Sequence, residues 1–169
     1  MARTVSDDRP SVRLEPADTE DVDELVDAWV SLASDQRQHG SRIVPEASRE
    51  TIRESIAQHV FGERLFVART NRDGIIGFVM FDLVDGRFEE DAVRGNVSNL
   101  YVTPGYRNRG IGSELLDIAE SELRDRGAIV VSLEVLAENA DARWFYEQSG
   151  YETHRIELEK RFETDKDGR

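Results

Sequence analysis

Residues 97–113 constrain this chain most. Val97-Ser98-Asn99-Leu100-Tyr101-Val102 is apolar and β-branched, and Pro104-Gly105 ends the run. From Gly110 onward the pattern becomes helical. Ile111, Leu115, Ile118, Ala119 and Leu123 recur at steps of three and four and form one stripe. This predicts a strand, a tight turn and a helix that opens on glycines. The first turn of a helix leaves backbone N–H groups without intrahelical partners, and its dipole adds partial positive charge there. Gly110 and Gly112 let a ligand approach the backbone closely, while Arg107 and Arg109 add fixed positive charge. The combination suits a phosphate or pyrophosphate.

Two familiar anion loops fail on spacing. Gly105 and Gly110 have the separation of a P-loop, but Ile111 stands where its Lys must be. A dinucleotide fingerprint needs a third glycine after Gly110-x-Gly112, and Leu115 is there instead. What remains is Arg107-x-x-Gly110-x-Gly112 after a strand ending in Val102-x-Pro104.

A second segment follows about 30 residues later, a spacing that fits strand–helix–strand–helix order. Ile129, Val130, Val131, Leu133 and Val135 predict a buried strand over residues 129–135. Asn139 is a good N-cap, Ala142, Phe145, Tyr146 and Ser149 share one helical side, and Gly150 suits the position just past the helix.

Together the two patterns, the second being Asn-x-x-Ala-x-x-Phe-Tyr-x-x-x-Gly-Tyr, resemble the GCN5-related N-acetyltransferase (GNAT) superfamily. The resemblance covers residues 65–162 well and the first third only in element order. It implies an α/β fold with a mixed, mostly antiparallel central sheet, helices on both faces and two splayed parallel strands. It also implies acetyl-CoA as cosubstrate. The pyrophosphate would sit on backbone N–H groups of Asn108, Arg109, Gly110, Ile111, Gly112 and Ser113, with Arg107 and Arg109 beside it. The pantetheine arm would lie along Leu100, Tyr101 and Val102, whose N–H groups would also serve the oxyanion. Asn139 would contact the same arm.

Acyl transfer from a thioester to an amine must remove a proton from the amine, stabilise an oxyanion and protonate the leaving thiolate. By the resemblance, Tyr146 points at the sulfur and protonates it. Glu134 is the candidate base. It shares a strand face with Ser132 and Leu136, and partial burial there would push its carboxyl upward. It resembles the Glu of relatives that acetylate protein N-termini. Glu89, Glu90 and Asp91 are rivals, and a water chain is a further route. A CoA-binding regulatory module without turnover is the alternative to an enzyme.

Composition sets outer bounds. The 169 residues suffice for one domain with a core. There is no cysteine, hence no disulfide, thiolate metal site or thiol nucleophile. His39, His59 and His154 lack metal spacing, so no metal is expected. Residues 1–10 have no apolar core of a signal peptide and no run is long enough to span a membrane, which predicts a cytoplasmic protein with no membrane partner. The net charge is −13, and Lys160 and Lys166 are the only lysines. No basic face is visible, which excludes nucleic-acid binding. The acidity either attracts a basic substrate or suits a salt-rich cytoplasm in which carboxylate repulsion is screened. The acids are spread along the chain, which favours the second and resembles a haloarchaeal composition. The amine substrate, small molecule or peptide, is not legible, and a homodimer stays open.

Along the chain, residues 1–10 and 163–169 are predicted to be flexible tails around a single acetyltransferase domain at 11–162. Strands are expected at 11–14, 65–69 and 75–83, with a hairpin turn at 71–74. A first helix begins near Pro16 with Asp18 or Thr19 as cap and carries Val22, Leu25, Val26, Trp29, Leu32 and Ala33 on one stripe. A second runs from Ser48, its cap, to 60. Trp29, His39 and Arg42 lie near the region that would shape the acceptor site. Two last strands are expected at 151–154 and 156–162.

Overall fold

The computed structural model describes residues 11–84 and 92–162. Asp18 accepts from Glu20 N, and Asp21 reaches back to Asp18 N, closing a capping box over a short 3-10 turn, Thr19–Asp21. The chain then enters α1 (Val22–Arg37). Pro16 therefore ends β1 (Val12–Pro16) rather than opening the helix, because the box satisfies the first donors only from Asp18 onward. α2 (Arg49–Phe61) follows Ser48, whose hydroxyl donates to Val44 O instead of capping.

β2 (Leu65–Thr70) and β3 (Gly74–Leu83) form the expected hairpin, with Gly74 at φ +66 in the turn. β4 (Arg94–Val102) leads through a 3-10 turn, Pro104–Tyr106, to α3 (Ile111–Asp125). β5 (Val130–Leu133) and α4 (Ala140–Gln148) complete the order. The five strands lie in the order β1-β2-β3-β4-β5, antiparallel except for the parallel pair β4 and β5.

Helices cover both faces, as expected. α1 and α2 bring Leu25, Val26, Trp29 and Ile56 onto Val67, Phe78 and Met80. α3 brings Leu115, Leu116 and Leu123 onto Val79, Phe81 and Val97. Central β3 is buried on both sides, which explains its unbroken apolar run. Trp29 is accordingly core, not acceptor wall. His59 is also buried, with Nδ1 on Ser55 O at 2.7 Å and Nε2 on Asp82 at 2.8 Å.

Three expectations need correction. The strand from Ile129 is not buried: it is the last strand of the sheet, and Ile129 is 75% exposed. Residues 151–154 and 156–162 form no strand among the described residues, since no neighbouring strand supplies them with hydrogen bonds. Val135 lies beyond the end of β5 and is exposed. The expected tails at 1–10 and 163–169 lie outside the described residues, as do Glu89, Glu90 and Asp91.

Candidate active site

The site begins with a slip in the sheet. On β4, Val97 pairs with Phe81 and Asn99 with Met80, so Ser98 is one residue too many. Its hydroxyl donates to Met80 O at 3.3 Å. The parallel pairing of β4 with β5 stops at the same place, its last partners being Val97 and Leu133. Beyond it the two strands splay, as the resemblance implied.

From Ser98 to Val102 one edge of β4 thus has no strand beside it. Thr103 N donates to Ile76 O at 2.8 Å, which fixes the phase of the ladder with β3. By alternation Tyr101 also turns its backbone to β3, while Leu100 and Val102 turn theirs to the open side. Of the three residues expected to offer N–H groups, two face the gap. Tyr101 instead sends its side chain to the α1 side, where it is buried against Phe78.

The turn after β4 is shaped by left-handed backbone at Asn108 (φ +60) and Gly110 (φ +85). Gly110 is the N-cap of α3, and among the described residues no side chain accepts from the N–H groups of Ile111, Gly112 and Ser113. A Cβ at Gly110 would meet nothing within 4 Å. One at Gly112 would lie 3.6 Å from Phe145 and 3.8 Å from Val102. The end of β4, the start of α3 and the middle of α4 therefore converge on Gly112.

The two arginines are partly engaged within the protein. Arg109 lies over the Tyr106 ring at 5.1 Å. Arg107 donates through Nε to Val102 O at 2.7 Å and through Nη2 to Asp35 at 3.0 Å, and covers the Tyr101 ring at 5.6 Å. Asp35 went unnoticed in the sequence, where it is one acid among many on α1. Nothing local distinguishes it, because its partner is 72 residues away. Burial, then the nearby Asp35 charge, raises the Tyr101 phenol above its usual range.

α4 is positioned as expected. Asn139 Oδ1 accepts from Ala142 N at 3.1 Å, and Gly150 takes φ +90 just past the helix. Asn139 is thus a cap, and its side-chain oxygen is committed. Tyr146 packs edge-on against Phe145 and Tyr151 at 5.2 and 5.9 Å between ring centres. With Leu100, Val102, Leu133 and Phe145 it borders the α3-side core. Burial pushes its phenol up to about 12. Its hydroxyl makes no hydrogen bond among the described residues. By contrast, Tyr151 donates to Glu120 at 2.8 Å. Glu134 stands one residue past β5 and is exposed, so the partial burial expected of it is absent.

Among the described residues, no three His, Asp or Glu side chains are placed to hold a metal, and no helix is long and apolar enough to cross a membrane.

A splayed parallel pair with a glycine turn at the end of one strand defines a class of fold, and comparisons agree. The model of the acetyltransferase (GNAT) family matches residues 23–151, and the chain belongs to that family. The chain is 25% identical over 161 residues to aminoalkylphosphonate N-acetyltransferase of Salmonella typhimurium, covering 95% of this chain and 97% of that protein. Over 61 residues it is 48% identical to mycothiol acetyltransferase of Beutenbergia cavernae, a stretch of 36% of this chain and 20% of that protein. The chain thus spans only a fifth of that relative. The PaiA N-acetyltransferase of Thermoplasma acidophilum, solved in complex with coenzyme A, superposes with a TM-score of 0.72 at 19% identity, covering 87% and 93% of the two chains.

Proposed function

We propose that this protein transfers an acetyl group from acetyl-CoA to a primary amine by direct attack. The observation that carries the reading is the open edge of β4 beyond Val97, with Gly112 at its end and Tyr146 bordering the same core. An extended amide-bearing arm suits that edge, because Leu100 offers its N–H and C=O and Val102 its N–H, the Val102 carbonyl already accepting from Arg107 Nε. The turn at 107–113 fits a pyrophosphate, having N–H groups uncapped by any described side chain and, among the described residues, open space within 4 Å of a Cβ at Gly110. Acetyl-CoA supplies the activated thioester.

The chain's residues then divide the proton work. Tyr146 is neutral at ordinary pH and its hydroxyl is uncommitted, so it can donate to a departing thiolate. Glu134 takes the amine proton directly or through one water at the solvent side of the splay. Glu89, Glu90 and Asp91 are the rivals. Leu100 and Val102 direct N–H groups towards developing negative charge on the acyl oxygen.

The acceptor is an amine whose identity the α1–α2 connection would shape. An assay of CoA release with aminoalkylphosphonates, thiol-bearing amines and N-terminal alanine peptides tests the reading. Binding of CoA without turnover on any amine would instead mark a regulatory CoA-binding module. The dispersed acids support a cytoplasmic setting rich in salt, in which thermal stability rises with KCl as repulsion is screened. A midpoint indifferent to salt would count against that setting.

A further inference from the structure

Tyr146 lacks what usually aims a proton donor. Its hydroxyl makes no hydrogen bond among the described residues, so its direction depends on where α4 sits and on the rings beside it.

α4 is held by little. None of its residues is buried, and Trp144 is 64% exposed. The hydrogen bonds of the Asn139, Arg143 and Ser149 side chains all end within residues 137–149. The backbone bonds at both ends of the helix are equally local. Among the described residues, a single hydrogen bond ties residues 139–151 to another element. It runs from the Tyr151 hydroxyl to Glu120 Oε1 on α3, at 2.8 Å.

That bond acts next to Tyr146. Tyr151 N donates to Tyr146 O at 3.0 Å, and the two rings meet edge-on at 5.9 Å. Phe145 meets the same ring at 5.2 Å. Apolar contact alone has no direction, so packed rings can slide and flip. A hydrogen bond does have direction, and one to a carboxylate is stronger than a neutral one. Burial, then the bond to Glu120, raises the Tyr151 phenol, which therefore stays a donor.

The partner helix is also the one that opens on the anion turn. Glu120 lies eight residues past Gly112 on α3, about 12 Å at 1.5 Å per residue. One rigid helix thus spans the turn at its start and the tie to α4 farther along.

We propose that Glu120 and Tyr151 are positioning residues for acyl transfer. The carboxylate fixes the Tyr151 ring, and that ring fixes Tyr146 relative to α3 and hence to the thioester sulfur. The inference rests on the acid role given above to Tyr146.

Three variants test it. Tyr151→Phe keeps the ring and loses the bond, Glu120→Leu removes the acceptor, and Glu120→Gln keeps one. Misalignment in the first two should lower kcat about tenfold while KM for acetyl-CoA is unchanged. Glu120→Gln should stay close to the parent. In a Tyr146→Phe background, Tyr151→Phe should cost nothing further, because no donor is left to aim. A second readout needs no turnover. The chain has four tyrosines, so ring-labelled tyrosine resolves each by NMR, and the Tyr146 ring should flip faster in Tyr151→Phe and Glu120→Leu than in the parent. Losses that add fully to that of Tyr146→Phe overturn the proposal. So does a raised KM with unchanged kcat, and so does an unaltered flip rate. If no amine is acetylated, the acyl-transfer reading fails separately, and the flip rate alone decides whether Glu120 fixes Tyr146.

Discussion

Arg107 Nη2 lies 3.0 Å from Asp35 Oδ2, joining the turn after β4 to α1 across the Tyr101 ring. An arginine read from sequence as a phosphate contact is thus also a brace. Both side chains are about half exposed, so the pair itself stabilises by no more than about 1 kcal/mol. Asp35→Asn tests which role dominates. If bracing dominates, CoA affinity measured by calorimetry should fall by less than about threefold, well under 1.4 kcal/mol. A clear rise in affinity would show that Asp35 restrains a phosphate-binding guanidinium.

Gly110→Asp isolates the anion turn. The residue sits at φ +85, where a non-glycine costs about 1–2 kcal/mol, though Asp tolerates it better than most. A Cβ there meets nothing within 4 Å among the described residues. The protein should therefore fold, and the carboxylate should repel the phosphates. Affinity for CoA should drop about tenfold or more, equivalent to 1.4 kcal/mol. Retained affinity in the folded variant would remove the pyrophosphate from this turn.

Tyr146→Phe keeps both ring contacts and removes the proton donor. Turnover should fall by about 10²- to 10⁴-fold with little change in acetyl-CoA binding. The pH dependence of stability supplies a second readout. Burial raises the folded phenol to about 12 against an ordinary value near 10, so the folded state holds its proton longer than the unfolded chain. That contribution is complete below about pH 10 and is lost as pH rises towards 12. Alkaline denaturation curves of Tyr146→Phe should lose that part of the slope.

Glu134→Gln should depress the rate most at low pH, where unprotonated amine is scarce, and recover on the alkaline side. A uniform decrease across pH would indicate positioning, and a profile like that of the parent would shift the base to residues 89–91.

Much of this arrangement was legible because its determinants are local. Gly110, Asn139 and Gly150 act on backbone within a few residues of themselves, so the turn, the cap and the end of α4 follow from composition alone. The hairpin at Gly74 and the stripes of α1 and α3 belong to the same class. Pairing was less legible. Ile129, Val130 and residues 156–162 have the alternation of strands, but alternation does not say which neighbour is present. The brace from Arg107 to Asp35 and the extra residue at Ser98 depend on register between distant segments, to which a single sequence offers no periodic signal. The burial expected of Glu134 is absent for the same reason: its exposure depends on what covers β5.

The supernumerary residue at Ser98 divides the molecule along its length. Upstream of it the sheet is five strands wide; downstream no strand among the described residues lies along Leu100 and Val102 in the fifth place. A guest bound there by its amides would be a temporary piece of secondary structure rather than cargo. Loss and return of substrate would then register as quickened and slowed deuterium uptake at two backbone amides, without any catalytic event.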